Sequence, residues 1–171
     1  MDIQENIVNK VAQSGLLTID LATYAPKEDI QIYDIKDNLF HGLLLKEKDF
    51  RAFIKDHDWS QYEGLHIGII CSTDAIVPTW AYMLLANKLE PYAISVHFGD
   101  KDTVVENLFL QALEKVDYSK FQDERVVVKG CGDIYIPETA FIRFTLGLSK
   151  VAKSMMYGEP CSTVPVFKRK P

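Results

Sequence analysis

The spacing of apolar and polar positions changes rhythm along this chain. Near its start, Ile3, Ile7, Val8 and Val11 recur at helical spacing, with Asp2 available as a cap and Gly15 just past the end. LLTIDL (16–21) then predicts a strand. Pro26 and the charges around it predict a loop. After it, IQIYDI (30–35) and LFHGLLL (39–45) predict two strands joined through Lys36, Asp37 and Asn38 as an antiparallel pair. Residues 46–57 predict a short helix that turns Phe50, Phe53 and Ile54 inward.

From His66 onward strands and helices alternate: HIGIIC, TWAYMLLANKL, AISVHFG, TVVENLFLQALEKV, RVVVKGC and ETAFIRFTLGL. Consecutive parallel strands need a crossover, so this alternation predicts an α/β fold with a mostly parallel central sheet flanked by helices. No Pro/Ser-rich linker interrupts the chain. The expected organisation is one domain over 1–171, with 1–63 as an N-terminal extension (a helix and antiparallel strands) and 64–171 as the repeated core.

The core repeats itself. DAIVPTWAYMLLANKLEPYAISVHFGD (74–100) laid over DIYIPETAFIRFTLGLSKVAKSMMYGE (133–159) is identical at seven of 27 ungapped positions, among them Pro78/Pro137, Ala81/Ala140 and Gly99/Gly158. Removing one residue from the loop also brings Cys71 onto Cys131. By this match KSMMYG (153–158) is a strand equivalent to ISVHFG, running parallel to its predecessor.

Length and composition fit this picture. A chain of 171 residues with 47% hydrophobic and 25% charged residues buries a core without a metal or disulfides to hold it. Its apolar runs fall far short of the roughly 20 residues of a membrane helix, and MDIQENIVNK lacks the order of a signal peptide. A soluble cytoplasmic protein, with no membrane partner, is expected. The net charge of −5 divides into +4 over residues 150–171 and −9 elsewhere. The terminal KRK lacks interleaved aromatics, so no nucleic-acid partner is expected and a solvated tail is the reading.

Three cysteines is an odd count, and in a reducing compartment it favours free thiols or metal thiolates. Each cysteine alone reads as a small core residue. Together they do more, because Cys71 and Cys131 each end an apolar strand before a Pro-started helix, on the C-terminal edge where open α/β sheets place their sites. If residues 153–158 run parallel, the tail GEPCST brings Cys161 to the same edge. Three thiolates with one further donor make a closed tetrahedral zinc shell, and soft ligands suit iron equally, so the expected cofactor is zinc or iron. His97, Asp74 and Asp133 are the further metal-site candidates, with Glu159 beside them. A thiolate of low pKa acting as nucleophile in a transferase or hydrolase is the alternative, as is an interaction module with buried cysteines. The position of a phosphatase loop's phosphate-holding arginine is filled by Val77 or Pro137, and there is no GxxxxGK[ST]. In KGCGDIY the third glycine of a dinucleotide fingerprint is replaced by Tyr135. Trp59, Tyr62, Trp80, Tyr82 and Met83 are candidates for core, for a pocket wall or for a homodimer contact.

The segments KEKDFR, HDWSQYEG, CSTDAIVPTWAYMLL, PYA, VVVKGC and AKSMMYGEPCSTVPVFKRK together resemble domain-of-unknown-function family 2480, a group of uncharacterised bacterial proteins, from about Ile7 to the terminus. The resemblance implies no established activity. Members of that family are often encoded beside iron–sulfur assembly genes of the sulfur-mobilisation type, which implies iron–sulfur assembly proteins as partners and suits a cysteine-lined metal site. The family's version of ISVHFG need not contain histidine, which ranks His97 behind Cys71, Cys131 and Cys161.

Overall fold

The structure is a computed structural model that describes residues 15–130, 132–159 and 162–170. In chain order its elements are β1 (Leu16–Asp20), β2 (Ile30–Asp34), α1 (Glu47–Asp56), β3 (His66–Ile70), α2 (Thr79–Leu89), β4 (Ser95–Phe98), α3 (Lys101–Glu114), β5 (Arg125–Lys129), α4 (Glu138–Leu148), β6 (Ser154–Glu159) and β7 (Ser162–Lys168). The fold is α/β, mostly parallel, with helices flanking the strands; β6 and β7 are the antiparallel pair. The helix expected near Ile3 lies outside the described residues.

The strands form two sheets, and the chain divides into two compact units. One, Pro26–Leu108, holds the sheet β2-β3-β4. The other, Met1–Ala25 with Phe109–Pro171, holds the sheet β1-β5-β6-β7. The segment expected as an extension thus supplies one parallel strand to each sheet. IQIYDI pairs in parallel with β3, from Ile30 opposite His66 to Asp34 opposite Ile70. It does not pair with LFHGLLL, which forms a turn closed by one isolated antiparallel bridge, Phe40 with Leu44. The reason is local: Asp34 accepts from the Lys36 N–H at 3.1 Å and starts a 3₁₀ turn over Ile35–Asn38, so the chain leaves β2 without folding back along it.

The internal repeat is longer than its best-matching stretch. A constant offset of 59 residues carries α1 onto the end of α3, pairing buried Phe50 with Phe109 and Ile54 with Leu113. It then pairs two Asp-capped turns, in which Asp58 accepts from the Ser60 N–H at 3.0 Å and Asp117 from the Ser119 N–H at 3.1 Å. Pro78 and Pro137 start α2 and α4 identically, each carbonyl accepting from an alanine N–H at 2.9 Å. Ala81, Leu85 and Leu89 are fully buried in one helix, as are Ala140, Phe144 and Leu148 in the other. Even the edge-to-face ring pairs match: Tyr82 on Phe98 at 5.6 Å and Phe141 on Tyr157 at 5.7 Å. Spacing at i, i+4 and i+8 keeps one stripe on the sheet, and this is what the sequence match records.

The same offset corrects the cysteine alignment. Both loops between strand and proline have equal length, so Cys71 stands opposite Gly130 and Ser72 opposite Cys131. No residue needs removing, and a side chain at 130 would meet Phe141 Cζ at 2.6 Å.

Candidate thiol edges

In the four-stranded unit, β6 runs parallel to β5, with Arg125 opposite Ser154 and Val128 opposite Tyr157. β5 and β6 therefore end on the same edge, as does β1, whose Asp20 faces Lys129. Lys129 draws that edge together: its Nζ lies 3.5 Å from Asp20 Oδ2 and 3.7 Å from Glu159 Oε1. Cys131 and Cys161 lie outside the described residues. By sequence, each follows two positions after one of these strand ends, Lys129 and Glu159. The loop between them and α4 exposes Asp133, Ile134 and Tyr135 and is pinned by buried Ile136. At the first turn of α4, the Thr139 hydroxyl oxygen is buried and has no hydrogen-bond partner among the described residues. A buried hydroxyl normally finds one.

In the three-stranded unit, Cys71 follows β3 and its thiol donates to the Thr73 carbonyl at 3.4 Å. Beside it, Asp34 at the end of β2 accepts from the Ser72 N–H at 3.1 Å and meets Lys36 Nζ at 3.2 Å. Burial alone would raise this carboxyl, but the hydrogen bonds from Ser72 and Lys36 outweigh it and hold it at about 2. Asp74 is exposed in the same loop. His97 is not brought to Cys71. It sits opposite Gly68, inside the sheet rather than at its end, and its Nε2 is engaged by the Ser95 hydroxyl at 2.7 Å. Burial, and then the charge of His66, hold His97 below the usual imidazole range. A Cys71–His97 nucleophile–base pair has no geometry here. Seven residues separate Cys71 from the start of α2 at Thr79.

Cys71 thus ends a strand of one sheet, while Cys131 and Cys161 follow strands of the other. Sequence reading placed all three on one edge because alternation alone does not say which strands share a sheet. Among the described residues no group of three metal-ligating side chains is assembled. His57 and His41 pack on rings: the His57 ring lies 4.7 Å from the Phe53 ring and 4.6 Å from Trp59, and the His41 ring lies 4.0 Å from Phe40.

A family model described as "Protein of unknown function (DUF2480)" matches residues 5–169. The chain belongs to this family. No curated protein and no solved structure matches it. Membership in DUF2480 therefore assigns no activity. No described helix is long and apolar enough to cross a membrane.

The terminal basic run departs from the solvated tail expected of it. β7 runs as far as Lys168, and Arg169 donates to Asp123 and to the Val151 carbonyl, while its backbone N–H reaches the Lys153 carbonyl at 3.0 Å.

Proposed function

We propose that this DUF2480 protein binds zinc or iron through thiolates at the β1-β5-β6 edge, with Cys131 and Cys161 as ligands, and serves iron–sulfur cluster assembly as an accessory. The observation that carries the reading is the parallel pairing of β5 with β6. It ends on one edge the two strands that precede Cys131 and Cys161 in the sequence, with Lys129 and Glu159 as neighbours across them. Thiolate sulfur is a strong ligand for zinc and for iron, and carboxylates of Asp133 or Glu159 supply oxygen donors to complete a shell. Lys129 places a positive charge at the same edge, which favours the deprotonated thiol that a metal needs. Cys71 belongs to the other unit and Asp74 is exposed beside it, so the reading treats Cys71 as a separate thiol.

Elemental analysis of anaerobically purified protein tests this. Tight thiolate sites retain metal through purification, so about one equivalent is expected in the wild type. It should be lost in Cys131→Ser and in Cys161→Ser and kept in Cys71→Ser. Loss only in Cys71→Ser would contradict the assignment, as would equal content in all four proteins.

A further inference from the structure

A line of four polar side chains crosses the opposite end of the three-stranded sheet. Glu28 precedes β2, while His66 opens β3 and Ser95 opens β4, directly opposite one another in register. His97 follows Ser95 on the same face of β4. Glu28 Oε2 lies 3.5 Å from His66 Nε2, His66 Nδ1 lies 2.7 Å from Ser95 Oγ, and Ser95 Oγ lies 2.7 Å from His97 Nε2. Among the described residues His66 is the one buried polar side chain, at 5% exposure.

Counting hydrogens gives this line a direction. The Ser95 hydroxyl has one proton, so it can donate to one imidazole and must accept from the other. A carboxylate only accepts, which sets the His66 proton on Nε2, facing Glu28, and leaves Nδ1 as a lone pair. Ser95 then donates to His66 Nδ1, and His97 donates Nε2–H to Ser95 Oγ. This assignment gives each of the three contacts one donor and one acceptor. A carboxylate orients an imidazole and the imidazole accepts from a hydroxyl: these are the parts of an activated serine.

The scaffold itself does not require them. At the offset of 59, Arg125, Ser154 and Met156 take the places of His66, Ser95 and His97. Arg125 pairs with Ser154 in the same parallel register as His66 with Ser95, so the strand pair is kept with no imidazole at these positions.

We propose that Ser95 is a nucleophile toward activated acyl or phosphoryl electrophiles, with His66 as its general base, Glu28 as the positioning residue and His97 as a donor to Oγ. As the bond from Oγ to carbon or phosphorus forms, the Oγ proton passes to His66 Nδ1. The leaving group departs with its bonding electron pair, and Glu28 faces the imidazolium that results. This centre uses no cysteine and lies at the other end of the sheet from Cys71, so it stands or falls separately from the thiol edge.

The test is a fluorophosphonate probe on the full-length protein, read by intact mass and peptide mapping. One adduct on Ser95 is expected, formed with loss of fluoride and absent from Ser95→Ala. Glu28 is half exposed, so Glu28→Gln should keep the wild-type melting midpoint while labelling falls about tenfold or more, within the range that acid–base assistance supplies. No adduct on Ser95 in the folded wild type would overturn the proposal. Equal labelling rates in wild type and Glu28→Gln would overturn the relay.

Discussion

Gly68 offers a sharp test of the packing that fixes β3, the strand that opens with His66 and leads into Cys71. A Cβ at this position would lie 2.6 Å from the Gly99 carbonyl oxygen, 2.7 Å from Ile32 Cδ1 and 2.9 Å from Val104 Cγ2. The isoleucine terminus can rotate away. The other two cannot yield easily, because the Gly99 N–H is tied to the Ile69 carbonyl at 3.0 Å and Val104 is a stiff, fully buried β-branched side chain. Overpacking of this kind costs about 1–3 kcal/mol. Replacing glycine stabilises through the unfolded chain by about 0.4–1 kcal/mol, which offsets part of it. Gly68→Ala should therefore destabilise by about 1–2 kcal/mol, lowering the melting midpoint by roughly 2–8 °C for a chain of this length. Gly132→Ala is the contrast: nothing lies within 4 Å of its Cβ, and its backbone is outside the left-handed region, so only the stabilising contribution remains. Thermal denaturation followed by circular dichroism reads both. Amide exchange at Ile67 and Ile69 assigns the loss to β3, since a chain of two units need not unfold in one step. A Gly68→Ala protein as stable as Gly132→Ala would refute the packing account.

Three further outcomes follow from the structure. Phe144→Ala removes a fully buried ring that lies 5.6 Å from Tyr118 and 6.0 Å from Phe121, and should cost about 3–5 kcal/mol by urea denaturation. Asp34 has a depressed folded-state value of about 2, so its contribution is present above about pH 4 and is lost as pH falls through 2. That contribution is at most about 2.5 kcal/mol, and Asp34→Asn should flatten the stability profile in this window and leave it unchanged in shape above pH 5. Arg169→Ala removes two side-chain bonds that fasten the end of β7, and should speed amide exchange at Phe167 and Lys168 more than at Val126.

Much of the fold was legible because the repeat is written in helix periodicity. Ala81, Leu85 and Leu89 recur as Ala140, Phe144 and Leu148, and each triplet predicts a stripe facing a sheet. The parallel course of residues 153–158, observed as β6, followed from the same match. Partnership between strands was not legible. Alternation says that parallel strands are present, but nothing in IQIYDI marks β3 as its neighbour, and nothing in LLTIDL marks β5. The expected antiparallel pair failed at Asp34, where an Asp-started turn was read as a strand connection. The Cys71–Cys131 match failed because it required removing one loop residue, while the equal loop lengths and Gly130 hold the register. The Glu28–His66–Ser95–His97 line was invisible for a similar reason. His66 and Ser95 are 29 residues apart, and only the β3–β4 register makes them neighbours.

X-ray absorption at the metal K edge of anaerobically purified wild-type protein addresses the thiol edge most directly. If Cys131 and Cys161 both bind, the first shell must contain two sulfur scatterers, at about 2.3 Å for zinc, with oxygen or nitrogen completing it. The sulfur count should be unchanged in Cys71→Ser and should fall in Cys161→Ser. A shell of oxygen and nitrogen alone, or a wild type that purifies without metal, would contradict the account.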